Sequence, residues 1–330
     1  MKRGLLQERT DKGARCLNCA HLCDLTDEQF GKCGMRKNKN GEIEVCNYGK
    51  AEAVSIDPIE KKPLYHFLPG TKSLSFSASG CSFKCLNCQN WRLSQRKDGQ
   101  AEGKLISPEE IIKLALENKV KSISYTYGEP IIYLEYALEV MKLAQKEGLK
   151  NVWVSNGYFS TQSLQKVAGY IDAVNVDLKS FSDSFYQNVC GGRLKPVLDS
   201  IKKLNRLSHL ELTTLIIPGY NDSEKDLKGV ANFIYDLDPN VAWHISKFSS
   251  RPTKDMEAPD TPKEAIEKAY NIGKSIGLNY IYPGNITSRK TSTYCPQCEN
   301  IIIERESYKT KIHERSSSCS KCGQEINIIH

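Results

Sequence analysis

Between residues 74 and 282 the chain alternates two kinds of segment, and no other feature restricts its fold so far. Runs rich in β-branched and aromatic residues lie at 74–79, 122–127, 151–155, 173–177, 211–217 and 241–248, with a further short one at 280–282. Helical patterns separate them. Ser107-Pro108-Glu109-Glu110 has the marks of a helix start, with a capping serine, proline at the first helical position and a glutamate that can reach back, ahead of Ile111, Ile112, Leu114 and Ala115. Thr261-Pro262-Lys263-Glu264 repeats the signal before Ala265, Ile266 and Ala269, and Gly148 and Gly277 stand where two helices should stop. Such alternation predicts an α/β fold whose parallel strands are joined by helical crossovers. Six units suit a partial (β/α)6 barrel, with an open doubly wound sheet as the competing architecture; in a barrel the chemistry gathers on loops at the C-terminal strand ends.

The first run leads into Cys81-Ser82-Phe83-Lys84-Cys85-Leu86-Asn87-Cys88. Three thiolates on one short loop can hold three corners of a cubane iron-sulfur cluster and leave its fourth iron open to a small molecule. Zinc would need a fourth ligand, which neither Gln89 nor Asn90 ordinarily supplies, although a distant His or Cys could. The bland alternative is a loop of structural thiols or half of a zinc site.

A chain of 330 residues has room for one large domain with small appendages. The N-terminal stretch shows no apolar run of signal-peptide length and no segment is apolar enough to span a bilayer. We therefore expect a cytoplasmic protein, without membrane association, whose 13 cysteines are kept reduced for metals. The formal charge of +7, from 46 basic against 39 acidic residues, is a mild excess. Pairs such as Lys61-Lys62 and Lys202-Lys203 fit a solvated surface, and RNA stays open as a substrate without being favoured.

Eleven cysteines fall into three clusters, with Cys46 and Cys190 left over. Residues 1–56 form a Cys-rich segment carrying Cys16, Cys19, Cys23 and Cys33, in sequence with too few apolar residues for its own core. Four thiolates there can close a zinc site or hold an auxiliary iron-sulfur cluster, and the bound metal would supply much of the folding free energy. Residues 291–330 carry Cys295, Cys298, Cys319 and Cys322, two knuckles around a strand-rich insert, which reads as a zinc ribbon. The barrel is expected over 57–290.

The other strand ends add candidate contacts. Tyr127-Gly128-Glu129-Pro130 follows the second run, where Gly128 lets the backbone approach a ligand and Glu129 can accept from an ammonium. Asp177 and Lys179 follow the fourth and share one side of an extended chain. His244, in Trp243-His244-Ile245-Ser246, shares a face with Ser246; a satisfied core histidine is its plainer reading.

The C-x3-C-x2-C loop and the Gly-Glu motif resemble the radical S-adenosylmethionine (SAM) superfamily, over roughly residues 57–290, and within it the pyruvate formate-lyase activating enzymes. A closer resemblance, to the radical SAM member of the AmmeMemoRadiSam system, rests on Gly31-Lys32-Cys33-Gly34, Asp57-Pro58-Ile59-Glu60-Lys61-Lys62-Pro63-Leu64-Tyr65-His66, Cys88-Gln89-Asn90-Trp91, Asp177-Leu178-Lys179-Ser180 and Pro218-Gly219-Tyr220-Asn221-Asp222. The resemblance implies a 4Fe-4S cluster on Cys81, Cys85 and Cys88, with Ser155 and Asn156 at the place where related enzymes contact SAM. It implies reductive cleavage of SAM to a 5'-deoxyadenosyl radical that takes hydrogen from a protein or small molecule, glycyl-radical activation included. It also implies an external electron donor, and Memo-like and AMMECR-type partners. Two other readings compete: radical modification of RNA with the ribbon as docking module, and a non-enzymatic iron-sulfur carrier or scaffold. Against the last stands the missing fourth thiol of the central loop.

Overall fold

The computed structural model describes every residue except Met1, Pro252, residues 286–288 and Ser307. Its main sheet has eight strands: β1 (Ala53–Pro58), β2 (Lys72–Ser77), β3 (Ser122–Tyr125), β4 (Lys150–Ser155), β5 (Ala173–Asp177), β6 (His209–Ile216), β7 (Ala242–Lys247) and β8 (Ile281–Gly284). They lie side by side in chain order; β1 pairs antiparallel with β2 and every later pair is parallel. The parallel strands are connected in turn through α1 (Pro108–Glu117), α2 (Leu134–Lys146), α3 (Thr161–Val167), α4 (Leu194–Leu207), α5 (Glu224–Leu237) and α6 (Lys263–Ile276). Because the strand order never reverses, crossovers of one hand put all the helices on one face, and the other face curls inward. A doubly wound sheet needs a reversal, so the structure is the partial barrel.

Side-chain alternation decides what fills each face. On β2, Phe76 packs against Tyr125 and against Tyr133 and Tyr136 on the helical side. Ser73, Ser75 and Ser77 point the other way, where Ser73 Oγ lies 2.6 Å from Ser124 Oγ. Small hydroxyls on the inner face leave room that bulky apolar residues would fill.

Helix starts follow the sequence signals with one exception. Ser107 caps α1 as expected: its Oγ accepts from Glu110 N at 3.2 Å while Ser107 N donates to Glu110 Oε2 at 2.6 Å. Thr261 does not cap α6, whose N-cap is Pro262 without a side-chain bond. Its hydroxyl instead accepts from Phe248 N at 2.9 Å and donates to Ile216 O at 2.6 Å, joining the ends of β6 and β7. Gly148 and Gly277 do end helices, at φ of +70° and +106°.

Before the barrel, short antiparallel strands (Lys2–Arg3, Arg36–Lys39 and Glu42–Val45; Gln7–Thr10, Gly13–Cys16 and Asp24–Leu25) make two small sheets. The boundary expected at 56/57 falls inside β1. At the other end, Thr293–Tyr294, Ile301–Glu306 and Lys309–Ile312 form an antiparallel ribbon. The ribbon seals the base of the barrel: Leu68 N donates to Ile329 O at 2.6 Å, Ile329 N to His66 O at 2.8 Å, and Arg305 Nη2 to Tyr65 O.

Candidate active site

The loop holding Cys81, Cys85 and Cys88 leaves the C-terminal end of β2, at the barrel mouth. Phe83 N donates to Cys81 Sγ at 3.3 Å, Asn156 Nδ2 approaches the same sulfur at 3.5 Å, and Ser94 Oγ lies 3.2 Å from Cys88 Sγ. Donors aimed at sulfur stabilise thiolate charge. Asn156 thus joins the thiol loop to the end of β4, where a second group gathers.

That group centres on Glu129. Its carboxylate accepts from Ser155 Oγ at 2.8 Å and from Asn156 N at 2.9 Å, and it is 1% exposed. Burial raises its pKa to about 7 against the pull of those donors. A carboxylate held so near neutrality lacks a cation, and an incoming ammonium would supply one. Gly128 is required here: a Cβ would meet Ser77 Oγ at 2.8 Å and Ala78 O at 2.9 Å. Just before it, Tyr127 adopts φ of +63°, strained for a bulky residue, and its hydroxyl donates to Asp57 Oδ2 at 2.6 Å. Asp57 also accepts from Lys61 at 2.8 Å and the buried Lys62 at 2.7 Å.

Asp177 and Lys179 pair with each other, Nζ to Oδ2 at 2.8 Å. Burial opposes the ammonium of Lys179, but Asp177 and the thiols of Cys85 and Cys190 together hold its pKa well above the ordinary lysine value. The pair therefore faces the thiol loop.

His244 needs correction as a contact of the mouth. Its Nε2 donates to Glu211 Oε2 at 2.6 Å, and its ring lies against Tyr65 and Tyr282, with centroids 4.7 and 5.4 Å away. It belongs to a buried cluster in the lower barrel. Glu211 there also accepts from His209 Nε2 at 3.1 Å, Tyr65 N at 2.9 Å and His66 N at 2.7 Å. The plainer reading of His244, a satisfied core histidine, describes it.

Cys190 was left unassigned by sequence, and the fold brings it to the loop. Lys84 N donates to Cys190 O at 2.8 Å and Leu86 N to Val189 O at 3.0 Å, which brings the Cys190 thiol within electrostatic reach of Cys85. Its only local signal is the Gly191-Gly192 pair that follows; at Gly192 a Cβ would collide with the Phe83 ring at 2.3 Å.

The four C-terminal thiols converge, all four sulfurs lying within 4.8 Å of one another. A tetrahedral ion with metal-sulfur bonds of about 2.3 Å suits that spacing. Among the described residues no other group of three or more potential metal ligands is so tight. Among the described residues no helix is long and apolar enough to cross a membrane.

The one-way-wound partial barrel thus carries a three-thiol loop beyond its first parallel strand and a carboxylate cradle beyond the next two. The radical SAM superfamily model matches residues 76–234. An uncharacterized protein of Methanocaldococcus jannaschii is 37% identical over 336 residues, covering 100% of both chains. The pyruvate formate-lyase-activating enzyme of Clostridium pasteurianum is 23% identical over 179 residues, 51% of this chain and 71% of that one. A radical SAM methyltransferase from Sphaerobacter thermophilus shares the fold at a TM-score of 0.51 and 14% identity, covering 66% of this chain and 67% of that one. The chain carries a radical SAM domain over residues 76–234 and is similar to pyruvate formate-lyase activating enzymes.

The family implies a 4Fe-4S cluster and SAM. The donor set fits: three thiols on one loop, two of them with polar partners at sulfur, beside a buried carboxylate that lacks a cation.

Proposed function

We propose that Cys81, Cys85 and Cys88 hold a three-thiolate 4Fe-4S cluster at the mouth, and that the enzyme uses it on SAM to abstract hydrogen from a protein or small-molecule substrate, glycyl-radical activation being the activity named for several of its relatives. The observation that carries this reading is the single hydrogen-bonded unit running from Cys81 through Asn156 to Ser155 and Glu129. Held by Cys81, Cys85 and Cys88, the cluster would supply the one electron for reductive cleavage of SAM to methionine and a 5'-deoxyadenosyl radical.

The protein's own groups bind and orient. Glu129 accepts from the methionyl ammonium, becoming fully ionised as it does so. Lys179 offers a cation to the methionyl carboxylate, with Asp177 holding the lysine in place and able to take a ribose hydroxyl. Ser155 and Asn156 keep Glu129 aimed while Asn156 also touches Cys81. The inner serines of β2 and β3 leave the space that the adenosyl group needs. Zinc occupies the ribbon, an external one-electron donor supplies reducing equivalents, and Memo-like and AMMECR-type proteins are the partners that the sequence resemblance suggests.

The test is 5'-deoxyadenosine formation by protein reconstituted anaerobically with iron and sulfide and given SAM and dithionite, beside Cys88→Ala. Product from the wild type alone supports the reading. Failure to bind SAM with the cluster intact sinks it.

A further inference from the structure

Among the described residues, the N-terminal thiols form a cysteine cluster to which the proposed function gives neither a metal nor a role. Three turns bring them together. Cys16 N donates to Cys23 O at 2.9 Å, so these two residues face each other across a hairpin. Cys19 starts the next turn, with Leu22 N donating to its carbonyl at 3.1 Å. Cys33 sits in a turn closed by Gly34 N on Gly31 O at 2.8 Å, and a Cβ at Gly31 would lie 3.7 Å from Cys23 Sγ. Cys16, Cys19 and Cys33 are buried, and the four thiols act on one another electrostatically.

Their spacing differs from that of the ribbon. The ribbon sulfurs crowd within 4.8 Å, as ligands of one ion must, and the N-terminal four do not. Sulfurs that each bind a separate corner iron stand further apart than sulfurs sharing one metal. Arg36 adds an independent sign. It is 1% exposed, its terminal nitrogens are held by Glu135, its Nε has no hydrogen-bond partner, and its guanidinium is near enough to Cys16 and Cys33 to act on them electrostatically. A buried donor left open next to thiols fits an anionic sulfur cluster, which would accept from it.

The lobe is fastened to the barrel mouth. Ala20 N donates to Tyr158 O at 3.2 Å, Ser160 Oγ to Leu17 O at 2.6 Å, and Asn18 Nδ2 to Ile131 O. His21 Nε2 donates at 2.8 Å to the carbonyl of Ser82, the residue after Cys81. Two residues and one hydrogen bond separate Cys19 from the mouth loop.

We propose that Cys16, Cys19, Cys23 and Cys33 hold a second iron-sulfur cluster, closed by four thiolates, through which the external electron enters. One electron arrives from a low-potential one-electron donor protein and one leaves toward the mouth cluster; no bond forms or breaks in the lobe. The second half of this statement rests on the reading of the mouth given above, and the first does not.

The experiment is metal analysis and EPR of the full chain reconstituted anaerobically with iron and sulfide. Wild type should hold about eight irons and about one zinc, and C81A/C85A/C88A should keep half of the iron, with a reduced-cluster signal that SAM leaves unchanged. C19A/C33A should lose the other half and keep the signal that SAM shifts. In case that variant fails to fold, Mössbauer spectra of wild type carry the same question, since SAM should perturb about one iron in eight instead of one in four. About four irons with two zincs in wild type, or no iron in the triple variant, overturns the proposal. A mouth cluster that ignores SAM in C19A/C33A, with iron retained in the triple variant, overturns the reading of the mouth and leaves the second cluster standing.

Discussion

Glu129 at the mouth and Glu211 deeper in the barrel are both buried, at 1% and 0% exposure, yet their charges are treated in opposite ways. Burial raises the pKa of each. At Glu129 two short bonds from Ser155 and Asn156 and a longer one from Ile131 N do not offset it, and the value stands at about 7. At Glu211 the bonds from His209 and His244, with two backbone N–H groups, outweigh burial and hold the carboxylate well below its ordinary range. The lower cluster is complete within the chain, and the mouth waits for charge from outside. A buried acid is thus a sign of a ligand site only when its neighbours leave it short of donors.

Four changes sharpen or break that contrast. Glu211→Gln should have the largest effect, a loss of about 3–5 kcal/mol, because an amide cannot satisfy four donors and leaves the histidines facing one another. Denaturant melts would show it, and a loss under about 1 kcal/mol would mean that the cluster is not the closed unit described.

Glu129→Gln should act in the other direction on the cluster-free, ligand-free protein. The folded pKa of about 7 lies above the unfolded value of 4.5, so the contribution is present below pH 4.5 and is lost as the pH rises to about 7. At pH 8 the variant should therefore be more stable than wild type by up to about 3 kcal/mol, and its stability should not fall across that window. The same variant should bind SAM about tenfold or more weakly by calorimetry on reconstituted enzyme, having lost a charge-assisted bond. A parallel decline of both proteins with pH would remove the argument for a ligand-seeking carboxylate.

The base should respond to acid. Burial lowers the pKa of His66 to about 3, so its contribution is present above about 6.5 and is lost as the pH falls toward 3. Neutral His66 donates from Nδ1 to Asn327 O at 3.1 Å and accepts at Nε2 from Tyr282 OH at 2.6 Å. His66→Phe should flatten the acid side of the stability profile, measured between pH 4 and 7, and leave the rise of Glu129 visible. Smallest, Tyr282→Phe removes one buried hydroxyl and should cost about 1 kcal/mol, with SAM affinity unchanged, since the hydroxyl serves the base alone.

Local signals were legible wherever neighbours in sequence are neighbours in space. The alternation marked every parallel strand, Ser107 marked its helix, and the paired knuckles marked the ribbon thiols, because caps, turns and short-loop ligand sets are built from residues a few positions apart. The placement of the three-thiol loop and of Gly128-Glu129 just beyond strand ends was legible for the same reason.

What the chain alone left open are pairings across long separations. His244 reads the same whether its partner is a ligand or Glu211, 33 residues away. Thr261 looks like a cap until β6 and β7 claim its hydroxyl. Cys190 carries no spacing to Cys85, and only the crossover between β5 and β6 sets them together. Nor does the sequence say that the ribbon, through Arg305 and Ile329, closes the base, or that His21 reaches Ser82. Sequence determined which groups this protein has and the local geometry that each prefers. The tertiary structure decided which buried charges find partners, because desolvation and pairing depend on everything packed around a group.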